Sequence, residues 1–215
     1  MATTVQTGIS ALQFLPERIS LTALREAVQG CRGCPLFKHA TQAVFGKGRR
    51  TARLILVGEQ PGNDEDLQGE PFVGPAGRIL DRALASAGID RAEAYVTNVV
   101  KHFKWEAKGK RRLHKKPNAR EIAACLPWLD KEIELIRPKV LVLLGATAAQ
   151  ALLGSDFRVS IDRGKVLPSN LAEHAVATVH PSSILRQQSE AERRRELARF
   201  TADLKVVAGL LNGTG

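Results

Sequence analysis

The feature that most constrains this chain is a short apolar run that ends in a glycine-rich turn. Leu54–Val57 is rich in branched residues and is followed at once by the turn GEQPG at positions 58–62. An apolar run bounded in this way predicts a buried parallel strand. Ligands of open α/β sheets bind at the carboxyl ends of strands. We therefore expect Gly58, Glu59 and Gln60 to arrange backbone amides, a carboxylate and a carboxamide around a binding site.

An aromatic residue follows this turn on a stiff loop. Phe72 lies between two prolines, Pro71 and Pro75, ahead of a helix predicted over Ala76–Ala87. A carboxylate turn and an aromatic ring on a rigid loop suit a planar ligand that forms hydrogen bonds, such as a nucleobase. An ordinary strand-to-helix connection with Phe72 in the core would give the same pattern, so these residues alone leave both interpretations open.

Strands and helices alternate along the chain, which indicates a parallel sheet covered on both faces. Further strands are predicted over Tyr95–Val100, Val140–Leu144 and Ala175–Val179, with a weaker one over Lys165–Leu167. The other predicted helices are Leu21–Val28, Arg120–Ile136, Ala146–Leu153 and Ser182 to about Leu211. We expect an α/β fold: a single-domain three-layer sandwich over residues 21–212 whose central, mainly parallel sheet has four to five strands. Residues 1–20 are predicted to form an N-terminal arm.

Composition and the chain's start exclude several classes of protein. A hydrophobic content of 44% and a charged content of 25% are typical of soluble globular proteins. No apolar run approaches the roughly 18 residues of a membrane helix, and the N-terminus lacks the basic start and apolar core of a signal peptide. We expect a cytoplasmic protein with no membrane partner. A nucleotide hydrolase is disfavoured because no acidic metal-binding cluster or phosphate-binding loop is present.

Positive charge is concentrated in one segment. The net charge is +10, and Lys101–Lys116 contributes +7 of it through eight basic residues and one acidic residue. Phe103 and Trp105 are interleaved with these charges. Such a segment predicts a polyanionic partner, most naturally a nucleic acid. The alternative is a solvated, flexible loop, and the absence of any periodicity predicts a long loop over His102–Asn118.

Polar residues lie at the ends of two further predicted strands. Asn98 could read the edge of a base, because a carboxamide both donates and accepts hydrogen bonds. His180 could donate to negative charge that develops on a leaving group. Ser182 also suits the cap of the last helix, with His180 as an ordinary polar residue. Three such strand ends on one rim predict a site.

The cysteines form a second group. Cys31 and Cys34 have the spacing of metal ligands, and Cys125 lies on the apolar face of a predicted helix. Three cysteines do not make a disulfide framework. Zinc or an iron–sulfur cluster would need a fourth ligand, for which His102 and His39 are the candidates. Buried free thiols without a metal remain the alternative.

Six motifs together resemble the uracil-DNA glycosylase superfamily. They occur in that family's order between Cys31 and Arg186, as CRGC, VGEQPG with PFVGPAGRILD, YVTNVVKH, EIAACLPWL, VLLGATAA and VATVHPSSILR. The chain is most similar to the iron–sulfur branch (families 4 and 5), and within it to UdgX-type enzymes. The resemblance implies a parallel sheet between helices.

The resemblance also implies a cofactor. In the iron–sulfur branch four cysteines hold a cluster, and this chain has His102 where the third cysteine would follow the TNVVK strand. The implied ligands of a [4Fe–4S] cluster are Cys31, Cys34, His102 and Cys125. We expect the cluster to tie the N-terminal segment to the core.

Site roles are implied in the same way. By its motifs, the chain would bind uracil through Gly58, Gln60, Phe72 and Asn98, with Glu59 and His180 as catalytic residues. The stretch KGKRRLH resembles the KRRIH loop of UdgX-type proteins, with Leu113 replacing Ile, and implies that His114 is a nucleophile. The residues expected to contact DNA are Lys110, Arg111, Arg112, Ser182 and Arg186.

The implied activity is excision of uracil from DNA, with single-stranded DNA favoured, free uracil as a product and a monomeric enzyme. The protein would then become covalently attached to the abasic sugar through His114. A conventional multiple-turnover glycosylase is the closest alternative. A non-enzymatic iron–sulfur module that binds DNA is the alternative from another class.

Overall fold

The computed structural model describes residues 10–213, so the first nine residues of the predicted arm lie outside the described part. The strands are β1 (Leu54–Gly58), β2 (Ala94–Asn98), β3 (Trp105–Lys108), β4 (Arg111–His114), β5 (Val140–Leu144), β6 (Val166–Leu167) and β7 (His174–Thr178). The helices are α1 (Leu21–Ala27), α2 (Asn63–Gln68), α3 (Pro75–Ser86), α4 (Ala119–Ile136), α5 (Ala146–Leu153), α6 (Val159–Asp162), α7 (Pro181–Leu185) and α8 (Glu190–Asn212).

Five strands form one sheet in the order β2-β1-β5-β7-β6. The first four are parallel, and β6 pairs antiparallel with β7 at the edge. The predicted α/β fold with a mainly parallel sheet of up to five strands is therefore confirmed. The two-residue length of β6 agrees with the weak signal of this strand in the sequence.

The sheet separates two hydrophobic cores, because successive side chains of a strand point to opposite faces. Ile55, Val57 and Leu141 face α1, α4 and α5 on one side. Leu56 and Val142 face α3 and α8 on the other. All residues of β1, β2 and β5 are buried, as expected for parallel strands covered on both faces. This is the predicted three-layer sandwich.

The prediction of a long loop over His102–Asn118 is wrong for the central part of this range. That part forms the antiparallel hairpin β3–β4. The strands are joined by Gly109 and Lys110, and Gly109 has a φ of 59°, which a glycine adopts without strain. Four of the eight strand residues are charged, so the apolar alternation that would reveal a half-buried strand is absent.

The prediction of a single C-terminal helix from Ser182 is also wrong, because this part of the chain forms two helices. Helix α7 ends at Leu185, and α8 starts after Ser189. The Ser189 hydroxyl accepts from the backbone of Glu192, whose carboxylate accepts from the backbone of Ser189. This reciprocal capping box starts a new helix at that point.

The described part of the predicted arm contacts the domain. Ser10 caps a short 3-10 helix over Ala11–Phe14, and Ala11 is fully buried against the core that includes α4. Within residues 10–213 no helix combines the length and the apolar character needed to cross a bilayer.

Candidate active site

The site lies where the strand order changes direction. The chain leaves β1 towards β2 on one side of the sheet, whereas it leaves β5 towards β7 on the other. A crevice forms at such a switch point, outside the carboxyl ends of the strands. Glu59 directly follows β1, and Thr147 lies in the first turn of α5, directly after β5.

Glu59 is held as a carboxylate in this crevice. Thr147 Oγ1 donates to Glu59 Oε2, and His114 Nε2 lies 3.2 Å from Glu59 Oε1. Burial alone would raise the pKa of Glu59, but the hydrogen bonds from His114 and Thr147 outweigh it and lower the pKa. Glu59 is therefore an anion at neutral pH, and it can accept a proton or orient a neighbouring group.

The hairpin β3–β4 brings His114 to this carboxylate. His114 is the last residue of β4, and its side chain is 51% exposed although it contacts Glu59. Its ring also lies 6.2 Å from that of Phe103, measured between centroids. One imidazole nitrogen thus faces Glu59, and within residues 10–213 the second nitrogen has no hydrogen-bond partner.

Gln60 fixes the base of the hairpin. Its Nε2 donates to the carbonyls of Lys104 (3.2 Å) and Lys115 (3.0 Å), and its Oε1 accepts from Lys104 N at 3.0 Å. Both amide protons and the carbonyl of this side chain are therefore used by the hairpin. The structure places the Gln60 carboxamide, predicted to bind uracil, on the hairpin backbone.

Arg112 anchors the middle of the hairpin. Its Nη1 lies 2.6 Å from Oδ2 of Asp66, a fully buried residue, and its Nε donates to Asn63 Oδ1 at 2.9 Å. The guanidinium also stacks on Phe103 and Trp105, each 5.5 Å from the ring centroid. The charge of Arg112, predicted to contact DNA, is thus already paired within the protein.

A pocket beside Glu59 is formed by Gly58, Phe72 and Asn98. A Cβ atom at Gly58 would clash with Asn98 Oδ1 and lie 2.7 Å from Phe72 Cζ, so only glycine lets these two side chains pack so closely on the end of β1. Phe72 adopts a φ of 59°, which is strained for a non-glycine residue. Its loop is clamped by Glu65, which accepts hydrogen bonds from Gly62 N and Gly74 N.

Asn98 is buried at the end of β2, with 2% of its surface exposed. Within residues 10–213 its carboxamide forms no hydrogen bond, although its neighbours on the strand do. A buried carboxamide without partners is costly unless a ligand satisfies it. The side chain is therefore available to a ligand that carries both a donor and an acceptor.

His180 closes the pocket on the side of β7. Its ring stacks against Phe72 at 6.0 Å between centroids. Its Nδ1 accepts from Ser182 N at 3.2 Å and lies 2.8 Å from Ser182 Oγ, which in turn accepts from Arg186 Nη1 at 2.9 Å. Burial lowers the pKa of His180 to about 4, although Glu59 opposes this. The neutral ring with an occupied Nδ1 carries its proton on Nε2.

The other residues predicted to contact DNA lie around this pocket. Lys110 and Arg111 are exposed at the tip of the hairpin, and Arg186 is exposed at the end of α7. Ser182 is half-buried and contributes to the cap of α7. Lys110, Arg111 and Arg186 are thus accessible to a phosphate, whereas Arg112 faces Asp66.

The three cysteines come together in the hydrophobic core that includes α4. Cys31 and Cys125 are buried, and the three thiols are close enough for their charges to interact. Trp128 Nε1 donates to Cys31 Sγ (3.3 Å), and Lys101 N donates to Cys125 Sγ (3.2 Å). Burial raises the pKa of Cys125 to about 12 and lowers that of His102 to about 4.

These donors have the chemistry of a metal site. Burial keeps His102 neutral, as a ligand requires, and backbone and indole N–H groups point at two of the sulfurs. Among the described residues no group of three His, Cys, Asp or Glu side chains is arranged to hold a single metal ion. This finding concerns single ions, whereas a four-iron cluster spaces its ligands more widely than one ion does. The main-chain carbonyl of His39, the other candidate ligand, accepts from Trp105 Nε1 of the hairpin.

Sequence reasoning missed two residues of the site. Thr147 lies three residues after the end of β5, in the first turn of α5, so a search of the residues just beyond each strand end would have found it. Asp66 carried no such signal, because it lies in a short acidic helix, α2, whose partner Arg112 is 46 positions away.

An acid, an amide and a histidine thus lie together at the ends of β1, β2 and β7 in a mainly parallel α/β sheet. The model of the Uracil DNA glycosylase superfamily matches residues 45–205, and the chain belongs to this superfamily. Its relatives include the Type-4 uracil-DNA glycosylase of Thermotoga maritima, which is 38% identical over 79% of this chain and 85% of its own length. The Type-4 uracil-DNA glycosylase of Pyrobaculum aerophilum is 34% identical over 85% of this chain and 93% of its own length. The Type-5 uracil-DNA glycosylase of Thermus thermophilus is 30% identical over 96% and 97%.

Proposed function

We propose that this protein excises uracil from DNA and then attaches itself covalently to the resulting abasic sugar through His114. The membership of the superfamily and the relatives named Type-4 uracil-DNA glycosylase support the excision. One observation carries the attachment: the hairpin holds His114 Nε2 at 3.2 Å from the Glu59 carboxylate, at the rim of the pocket. On this proposal the protein is a UdgX-type enzyme of base-excision DNA repair.

The pocket supplies the groups that excision needs. Uracil extruded from the strand would stack on Phe72, and the Asn98 carboxamide would pair with the edge that differs between uracil and cytosine. Gly58 lets these two side chains pack closely on the end of β1. Extrusion costs least from single-stranded DNA, which we therefore expect to be the favoured substrate.

His180 is suited to the leaving group. With its proton on Nε2, the neutral imidazole can donate to a uracil oxygen as the N-glycosidic bond breaks and its electron pair moves onto the base. The contacts of Arg186 and Ser182 keep Nδ1 occupied, so the ring presents only a donor. The products of this step are a uracil anion, released as uracil after protonation, and an electrophilic sugar.

His114 then captures the sugar. The free nitrogen of the imidazole forms a bond to the anomeric carbon, while the proton on the nitrogen facing Glu59 passes to, or is shared with, that carboxylate. The lowered pKa of Glu59 keeps it anionic and able to stabilise the imidazolium. Since an alkylated neutral imidazole is a poor leaving group, the protein would act once.

A denaturing gel with a uracil-containing oligonucleotide tests this proposal. Wild-type protein should produce a heat-stable shifted band, at most one per protein molecule. His114→Gly should lose the band yet leave excision intact, because water can enter the vacated space beside Glu59. His174→Gly is the matched control. His174 is the first residue of β7, at the end of the strand away from His180, so this variant should crosslink normally.

Three other outcomes distinguish the alternatives. Strand scission after alkali without a shifted band would support a conventional multiple-turnover glycosylase. Binding without scission or shift would support a non-enzymatic DNA-binding module. An adduct that persists in His114→Gly and maps to a lysine would point to Schiff-base formation with the opened sugar, through Lys110 or Lys115.

We also propose that Cys31, Cys34, His102 and Cys125 hold a [4Fe–4S] cluster. The contact of three thiols, the neutral His102 and the two N–H donors to sulfur support it. Bound there, the cluster would fix the N-terminal segment to α4. Anaerobically purified protein should be brown and contain about four irons per chain. Cys34→Ser should lose iron and melt at a lower temperature, and a colourless, fully active wild type would contradict the proposal.

DNA contacts are assigned to the accessible charges at the rim. We propose that Lys110 and Arg111 contact phosphates from the hairpin tip and that Arg186 and Ser182 contact them from α7. Their exposure or position at the rim supports this assignment. Arg112 is excluded from it because its guanidinium is paired with Asp66.

A further inference from the structure

A fully buried ion pair contacts the main chain of Asn98. The side chains of Lys101 and Glu132 have 0% exposure, and Lys101 Nζ lies 2.5 Å from Glu132 Oε2. Burying two charges costs much desolvation energy, and apolar residues of similar size often stabilise a fold as well or better. Stability alone therefore does not account for this pair.

Every proton of the Lys101 ammonium has a partner. Besides Glu132, Nζ donates to Thr97 Oγ1 at 2.7 Å and to the main-chain carbonyl of Asn98 at 2.8 Å. An ammonium has three protons to donate, so all of them are accounted for. One of the three fixes the backbone of the residue that faces the base pocket.

Glu132 holds this ammonium in place from helix α4. Its carboxylate accepts from Gly46 N at 3.0 Å, from the Tyr95 hydroxyl at 2.8 Å and from Thr97 Oγ1 at 2.9 Å. Burial raises the pKa of Tyr95, so its hydroxyl stays protonated and donates. The carboxylate therefore joins α4, β2 and the segment that precedes β1.

Asn98 depends on such support from its backbone. Its carboxamide forms no hydrogen bond in the described part of the chain, so no polar partner in the protein orients it. Its direction follows from packing on Gly58 and Phe72 and from the position of its main chain. After Asn98 the chain is held by Val99 N, which donates to Gly58 O at 3.0 Å, and by Lys101 at the Asn98 carbonyl.

We infer that the Lys101–Glu132 ion pair positions Asn98 for uracil recognition by fixing its carbonyl and hence the direction of its carboxamide. This inference rests on the proposed excision of uracil. Neither residue touches the base, so both are positioning residues. A purely structural pair would affect stability and leave recognition of the base unchanged.

The test variant removes both charges together. The double variant Lys101→Met/Glu132→Gln keeps side chains of similar length and leaves no buried charge unpaired. The side-chain carbonyl of the new Gln can still accept from Gly46 N and the Tyr95 hydroxyl. The matched control is Arg163→Met/Asp203→Asn, which neutralises a half-buried pair with an N–O distance of 2.9 Å between the end of α6 and α8. Melting curves of both variants establish that they fold.

Three measurements then separate recognition from stability: inhibition of excision by free uracil, affinity for undamaged single-stranded DNA, and a cycle with Asn98→Ala. We expect the Lys101→Met/Glu132→Gln variant to weaken inhibition by uracil about tenfold or more, since small misplacements in a site have large effects. DNA affinity should stay unchanged, and the control should match wild type. Combined with Asn98→Ala, the pair variant should add little further loss, because both act through one side chain.

Normal inhibition by uracil in the folded pair variant would overturn the inference, as would losses that multiply independently of Asn98→Ala. An equal loss in the control would overturn it too. If the pair variant does not fold, Thr97→Val takes its place, because it removes one partner of each charged group at constant shape. Absence of uracil excision by the wild type would overturn the proposed function as well, which distinguishes the two failures.

Discussion

The two halves of the site are built differently. The base pocket, with Asn98 and Phe72, is buried and belongs to the sheet and its tightly clamped loops. The hairpin with His114 is largely exposed and is held to the rest of the protein by Gln60 and by Asp66, which pairs with Arg112 of the hairpin. On the proposed mechanism, excision depends on the supports of the base pocket, and covalent capture depends on those of the hairpin. Loosening the hairpin should therefore abolish capture while excision continues.

The largest effect should come from the base of the hairpin. Gln60→Ala removes all three hydrogen bonds that join the hairpin ends to β1. A displacement of about 1 Å can cost roughly a hundredfold in rate. We expect covalent capture to slow by about that factor while excision changes little, as measured by adduct and alkali-cleaved product from the same reaction. Gln68→Ala, at an exposed end of α2, is the control. Equal losses of both activities would break the comparison.

The base pocket should respond in the opposite way. Phe72→Ala removes a stack worth about 1–3 kcal/mol, which corresponds to roughly fivefold to 150-fold in rate. Excision should fall by this factor, and capture should fall only because its substrate forms more slowly. Single-turnover excision kinetics measure the effect, with Phe157→Ala as a control outside the pocket. Unchanged excision would mean that the base binds elsewhere.

Two adjacent arginines of the hairpin should behave differently. Arg112→Met breaks the pair with Asp66 and should reduce capture by about tenfold, with little change in the affinity for undamaged DNA. Arg111→Met should instead weaken DNA binding and make the negative slope of log K against log salt shallower by about 1. For the wild type that slope should be roughly −2 to −4, if three or four charges meet phosphates. Identical behaviour of the two variants would contradict the assignment.

The smallest effect concerns stability and pH. The pKa of His180 is about 4 in the folded protein against 6.5 when unperturbed, so the unfolded state binds more protons between these values. The free energy of unfolding is unaffected by His180 above about pH 6.5, and it falls as the pH drops towards 4. Urea titrations of wild type and His180→Asn should differ in proton uptake on unfolding by up to about one proton in this window. No difference would show that His180 is not protected from protonation.

The sequence predicted the sheet well and the hairpin poorly, for a physical reason. Strand β5 was predicted with its observed bounds because it is buried on both faces and continuously apolar. Glu59, Asn98 and His180 could be placed together because parallel strand ends meet at one edge. The strands β3 and β4 carry no such pattern, since their partners are mostly polar groups elsewhere in the chain.

The same distinction applies to individual side chains. The residue type of Gln60 pointed to a base, but its actual partners, the carbonyls of Lys104 and Lys115, lie 44 and 55 positions away. The charge of Arg112 pointed to phosphate, whereas the fold pairs it with Asp66. Long-range polar pairing of this kind leaves no periodic trace in a sequence.

The closure of the hairpin at its base has a consequence for how such a protein can be altered. Lys115 N donates to Lys104 O at 2.9 Å, so the chain leaves and re-enters the body of the molecule at nearly one point. Replacing everything between them by a tight turn leaves the ends of β2 and α4 where they are. We therefore expect the hairpin, together with Gln60 after β1 and Asp66 in α2, to be transferable to another member of the superfamily.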